Sequence, residues 1–205
     1  MVWLEPTAIP DAGAFVARVL RLDPAAVVRL RGGALWAALP FAVLVSRVVP
    51  GLAADVDRTV RGDELLTALQ TSGDLPAARD DAWRWSLPAV PGATVERIPV
   101  AEVVRLSEAA ASTVRAASVE GVGGRAVGSR ALRDALLDHV PIVVTTDEGA
   151  HVAVPQRLIQ AVTRMAFVPG PSASRPFVDV RVAGPWVGLA APYGSAWHRP
   201  PLLIR

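Results

Sequence analysis

The chain has 205 residues, 52% hydrophobic and 20% charged, with a formal net charge of +2. That is core material for one domain or two small ones, and it excludes a disordered polymer. All 21 basic side chains are arginine, and lysine, cysteine and asparagine are absent, so Schiff-base, thiolate and P-loop-lysine chemistry and a cysteine metal cage are excluded.

In chain order, Asp11 is placed to cap a helix running to Leu22, with Phe15, Val19 and Leu22 on one face, and Asp23-Pro24 ends it. Ala26–Arg31, Ala34–Leu39 and Phe41–Val49 read as strands, with Gly32-Gly33 as a hairpin turn between the first two. The longest apolar stretch, Ala34 to Val45, is too short for a membrane span and contains Pro40. Val56–Arg61 reads as a fourth strand and Glu64–Gln70 as a short helix. Thr71 to Asp81 has linker composition, and Ala82–Leu87 reads as a strand with Trp83 and Trp85 on one face. The expected organisation is an α+β amino-terminal part over 1–75 and an α+β carboxy-terminal part with arginine-rich helices over 82–205, with one continuous domain as the alternative.

The second half opens with a strand at Thr94–Ile98 and a helix from Ala101 to Ser118, whose apolar stripe is Val103, Leu106, Ala110, Val114 and Ala117. The glycine-rich loop Gly121–Gly128 leads to a helix from Ser129 to His139, stopped by Pro141. Strands at Ile142–Thr146 and His151–Val154 turn through Asp147-Glu148-Gly149. Pro155 starts a helix to Val168. Strands at Phe177–Val182 and Trp186–Ala190 follow, then a Tyr193…Trp197-His198-Arg199-Pro200 stretch. The fold class is therefore α+β: antiparallel strands with two helices, then a helix-rich half with a hairpin and carboxy-terminal strands.

Val122–Val144 (VGGRAVGSRALRDALLDHVPIVV) and Val154–Met165 (VPQRLIQAVTRM) resemble segments of uncharacterised proteins from GC-rich actinobacteria. The loss of Lys and Asn agrees with a GC-rich coding bias. The resemblance implies a lineage and no activity.

Charge is uneven along the chain. Residues 1–148 hold 15 Arg and 18 acids (15 − 18 = −3), and residues 149–205 hold 6 Arg and one acid, Asp179 (6 − 1 = +5). Such asymmetry points to a polyanion-facing surface or to two poles attracting within one fold. On the helix after Pro155, Leu158, Ile159, Val162 and Met165 form the inward stripe, while Gln156, Arg157, Gln160, Thr163 and Arg164 line the outer face with no carboxylate among them. That face suits phosphate contact. Gly123 and Gly128 have the gap of a phosphate-cradling loop, and Arg125 and Arg130 stand beside it, but no Gly-Lys-Ser/Thr follows. The helix–hairpin order resembles a winged helix, opposed by a long connection at 119–128 and by Asp134 and Asp138 on the would-be reading helix.

His139, His151 and His198 lack zinc spacing, and the carboxylate pairs Asp63-Glu64, Asp80-Asp81 and Asp147-Glu148 sit at caps and turns. Trp83, Trp85, Trp186, Trp197 and Tyr193 read as core or contact aromatics. No catalytic or metal site and no cofactor is identified. The expected function is a non-enzymatic accessory or regulatory protein in the cytoplasm, with no membrane partner. It would present Arg125, Arg130, Arg157, Gln160 and Arg164 to a polyanion such as DNA. The alternatives are a protein-interaction or self-assembling module that binds an acidic protein surface or its own copy, and an enzyme or binder of a phosphorylated ligand at Gly121–Arg130.

Overall fold

The Gly32-Gly33 pair adopts φ of +60° and +70°, the left-handed conformation a two-residue hairpin turn requires. It joins β1 (Val27–Arg31) to β2 (Ala34–Leu39). The structure is a computed structural model that describes residues 3–71, 73–120, 129–169 and 177–200, without the side chains of 117–120 and 129–133. The chain forms two compact units, residues 1–87 with 194–196 and residues 88–193 with 197–205. Both mix helices with antiparallel strands, which makes the protein α+β.

In the first unit, β3 (Val43–Val48) and β4 (Asp57–Arg61) flank the hairpin to give the order β4-β1-β2-β3. Alternation along the strands sets Val28, Leu30, Leu35, Ala37, Val43, Val45 and Val60 on one face, all buried. On that face pack α1 (Ile9–Leu22) and α2 (Gly62–Thr71), side by side. Their contribution to the core is Ala12, Phe15, Val16 and Val19 from α1 and Leu65, Ala68 and Leu69 from α2. Arg47, on the same face at the edge of the core, donates from Nε to Asp11 of α1 at 2.6 Å. Asp11 is therefore a first-turn partner of a strand arginine and not the cap; the cap position is Ala8, with no side-chain bond.

The opposite face carries Arg29, which pairs with Asp57 at 2.8 Å and lies 5.9 Å from the Trp83 ring centroid. Residues 82–87 do not form the expected strand. A 3-10 turn at Asp80–Ala82 interrupts the extended conformation, and Trp83 turns its indole N–H to the Trp85 carbonyl at 2.5 Å. The residues just before this segment lie against β4: Thr59 donates its N–H to Asp80 Oδ1 (2.6 Å) and accepts from the Arg79 N–H (2.7 Å).

In the second unit, β8 (Phe177–Ala183) lies between β5 (Ala93–Pro99) and β9 (Trp186–Ala191), both antiparallel to it. Val178, Val180, Leu189 and Ile98 face inward. α3 (Val100–Glu120) packs on β5 and β8, and α5 (Gln156–Arg164) packs on β9 and on α3 and α4 (Ser129–Asp138). β6 (Ile142–Thr145) and β7 (His151–Val154) form a separate two-stranded ribbon, with β7 beside β9. β10 (Gly194–His198) occupies the stretch read from sequence only as a closing aromatic segment. Trp197 on it is 1% exposed and lies over Gly188, where any Cβ would meet its ring.

Candidate functional site

α5 is the element on which the sequence places an arginine-bearing outer face. Its first turn follows Pro155, whose φ of −73° and ψ of 153° cap the helix from an extended conformation. Leu158, Ile159, Ala161, Val162 and Met165 are fully buried, so the helix is fixed by its inner stripe. It ends at Arg164 and not at Val168. Ala166 takes φ +52°, and the Phe167 N–H reaches back to the Val162 carbonyl at 2.8 Å while Ala166 N–H bonds Thr163 O at 3.0 Å, the paired bonds of a Schellman cap.

The expected outer face does not point one way. Gln156 is 2% exposed, and its Nε2 finds no acceptor among the described residues. Thr163 bonds the Ile159 carbonyl at 2.9 Å and stands 3.2 Å from Ser107 of α3, inside the packing between the two helices. Arg157 is drawn to the end of α4, where its guanidinium is ion-paired with Asp138 and its side chain is only 14% exposed. Gln160 and Arg164 are brought together: Arg164 Nε donates to Gln160 Oε1 at 2.9 Å, and Arg164 is exposed. Because the partner is a neutral amide, the Arg164 charge is not cancelled by this bond. Arg125 lies outside the described residues, as does the loop 121–128, and the side chain of Arg130 is likewise not described.

The other described arginines of this unit with assigned acid partners follow the same pattern. Asp179 receives Arg181 Nη2 at 2.9 Å and Arg97 Nε at 3.4 Å, and Arg181 also donates to the Pro91 carbonyl at 3.2 Å. On α3, Arg105 donates to Glu102 at 2.9 Å, which holds the Glu102 carboxyl below its ordinary range and raises the guanidinium. In the first unit Arg61 does the same to Asp63. Counted by unit, the charge asymmetry shrinks. Residues 1–87 with 194–196 hold 9 Arg and 10 acids (9 − 10 = −1), and the rest hold 12 Arg and 9 acids (12 − 9 = +3). Asp138 and Arg157 lie on opposite sides of the sequence cut at 148, yet they meet in space.

Among the described residues no group of His, Asp and Glu is arranged to hold a metal. His139 is exposed at the end of α4, where its carbonyl accepts from the Gln156 N–H at 2.8 Å. His151 stands 3.2 Å from the Thr145 hydroxyl across the ribbon, and His198 is buried. Trp186 and Trp197 are core side chains; among the described residues of this unit, Val140, Val143, Phe177 and Tyr193 are with Val90 the exposed large apolar side chains. Sequence patterning did not single out Val143. Its signal is a short run of uncharged, β-branched residues on a strand with one neighbour. None of the described helices is long and apolar enough to cross a membrane.

Similarity to solved structures rests on fold. The chain resembles the β subunit of DNA polymerase III from Thermotoga maritima (12% identity, TM-score 0.51) and from Pseudomonas aeruginosa (11%, 0.51), and the β sliding clamp of Caulobacter crescentus (14%, 0.52). Each match covers 96% of this chain and 63% of the other, so the chain spans under two thirds of the length of these clamps. No curated protein matches the chain. Residues 1–85 match a Domain of unknown function (DUF8010). Residues 87–203, more than half of the chain, match the Domain of unknown function (DUF8185), and the protein belongs to that family.

Proposed function

We propose that the protein is a non-catalytic binding module that works through contacts with another protein. The observation that carries this reading is how its arginines are engaged. Arg157 is held by Asp138, Arg97 and Arg181 by Asp179, and Arg105 by Glu102, while Val143, Phe177 and Tyr193 stand in solvent. A cation that already has a carboxylate partner must give it up to neutralise a phosphate, which lessens its contribution to polyanion binding. The clamp-like fold agrees, since the similar structures are by their titles polymerase subunits.

A second reading, contact with a polyanion such as DNA at Arg125, Arg130, Arg157, Gln160 and Arg164, is favoured by one feature: Arg164 is exposed, and its assigned hydrogen bond among the described residues goes to an amide. Fluorescence anisotropy with duplex DNA across a salt series separates the two. Each phosphate neutralised steepens the log–log slope by about 0.9. If any DNA affinity exists, Arg164→Ala should flatten the slope by about 0.9 and Arg157→Ala by about 0, because Asp138 already holds Arg157. Equal flattening by both variants favours the polyanion reading. For the protein reading, the tagged full chain purified from its own cells after nuclease treatment should retain a protein partner at salt that dissolves phosphate contacts. Loss of every partner on nuclease treatment overturns it.

A further inference from the structure

The sheets end in strands whose outer sides are treated differently. On β4 the outward N–H and C=O of Thr59 are taken by Asp80 and Arg79, so the edge is closed by the chain itself. On β5 the register slips between Thr94 and Glu96, Glu96 and Arg97 put charge on the strand, and Pro99 ends it. A slipped register, charge and proline are the usual devices against strand addition. The four residues of β6 have none of them, and the proline on this edge, Pro141, stands just before the strand. Its sequence, Ile-Val-Val-Thr, is uncharged and β-branched throughout, and among the described residues it pairs with β7 alone.

The ladder shows which groups are open. The Thr146 N–H donates to the Ala150 carbonyl at 2.8 Å. Antiparallel alternation then turns the bonding groups of Ile142 and Val144 toward β7, and those of Val143 and Thr145 away from it. The side chains alternate too. Val144 and Val154 are buried and form the inner face, whereas Val143 is 60% exposed and shares the outer face with Thr145, His151 and Ala153. A two-stranded ribbon is marginal alone, and a third strand is the ordinary way to complete one.

We propose that β6 is a docking edge for the β6 strand of a second copy of this chain, joined antiparallel about a two-fold axis at Val144. This rests on the protein-interaction reading and names its surface. With that axis, Val143 faces Thr145 of the second copy and Thr145 faces its Val143, each pair exchanging both N–H···O=C bonds. The charges are compatible. The acidic turn Asp147-Glu148 falls opposite the uncharged Pro141 and Val140, with His139 beyond them, so no carboxylate meets a carboxylate. The edge is four residues long, and so short a contact gives a dimer that is reversible and dependent on concentration.

The test is sedimentation of the full chain over a concentration series, on wild type, Val143→Pro and Val143→Lys. Val143→Pro removes an outward N–H and leaves the bonds to β7 intact, because those belong to Ile142 and Val144. Val143→Lys supplies the charge that guards natural edges without touching the backbone. Wild type should shift from monomer to dimer as concentration rises, and both variants should stay monomeric with far-UV circular dichroism and melting unchanged. A wild type that is monomeric up to its solubility limit overturns the proposal. So does a dimer that persists in Val143→Lys, even if Val143→Pro does not fold. Neither result touches the nuclease-resistant partner that tests the broader reading, so the two fail separately.

Discussion

Gly188→Ala is a direct probe of how the carboxy-terminal aromatics are used. Gly188 sits in the middle of β9, opposite Arg181 of β8. A Cβ built there would lie 2.7 Å from both Cδ2 and Cζ3 of Trp197, well inside carbon–carbon contact. The indole has no solvent to retreat into, since it is 1% exposed. Overpacking a filled core costs about 1–3 kcal/mol, and a Cβ placed this far inside contact with a buried ring belongs at the upper end of that range. For a chain of this length each kcal/mol moves the midpoint by about 2–4 °C, so a loss of roughly 6–12 °C is expected. Differential scanning calorimetry measures it, with the near-ultraviolet circular dichroism of the tryptophans as a second readout. If Gly188→Ala melts with wild type, Trp197 does not lie over that strand. The indole would then be free to serve as a stacking surface, and the account of the aromatic residues as core would fail.

Asp80→Ala removes the acceptor for the Thr59 N–H, and Thr59 is fully buried, so a loss of about 1–3 kcal/mol is expected in the urea midpoint. Asp80→Asn keeps an acceptor oxygen and should lose less; equal losses would mean that the carboxylate charge, not the capped edge, is what matters. Ala166→Gly relieves a left-handed alanine at φ +52° and should stabilise the second unit by up to about 1 kcal/mol once the greater freedom of glycine in the unfolded chain is allowed for. A destabilised Ala166→Gly in thermal melts would contradict the cap assigned to α5.

Where a local rule acts alone, the sequence is a sufficient guide. Gly32-Gly33 between β-branched runs has one outcome, and the strands on either side form as expected. Pro99 and Pro155 each stand immediately before a helix for the same reason. The failures occur where a non-local partner overrides a local preference. Ala82–Leu87 has strand composition, but Arg79 and Asp80 are taken by Thr59, a residue twenty or more positions away, and the chain turns there instead. The end of α5 was invisible because its capping residue is Ala166, and alanine carries no signal for a left-handed conformation that glycine would have announced.

The candidate site illustrates the same limit in charge. Reading outward from Pro155, helical spacing places Arg157, Gln160 and Arg164 on a common face, and in an isolated helix they would share it. What separates them is α4. Its last residue, Asp138, comes from the part of the sequence that reads as acidic, and packing of α4 on α5 delivers that carboxylate to Arg157 and not to Arg164. A partner assigned by packing leaves no trace in spacing. A positive segment in sequence is therefore only a positive surface if the fold brings no acid to it, and one helix packed at one angle is enough to divide such a face in two. The two ends of α5 accordingly make opposite predictions: Arg157 behaves as a structural cation whose removal unbalances Asp138, and Arg164 behaves as a solvent-facing charge whose removal changes only what binds there.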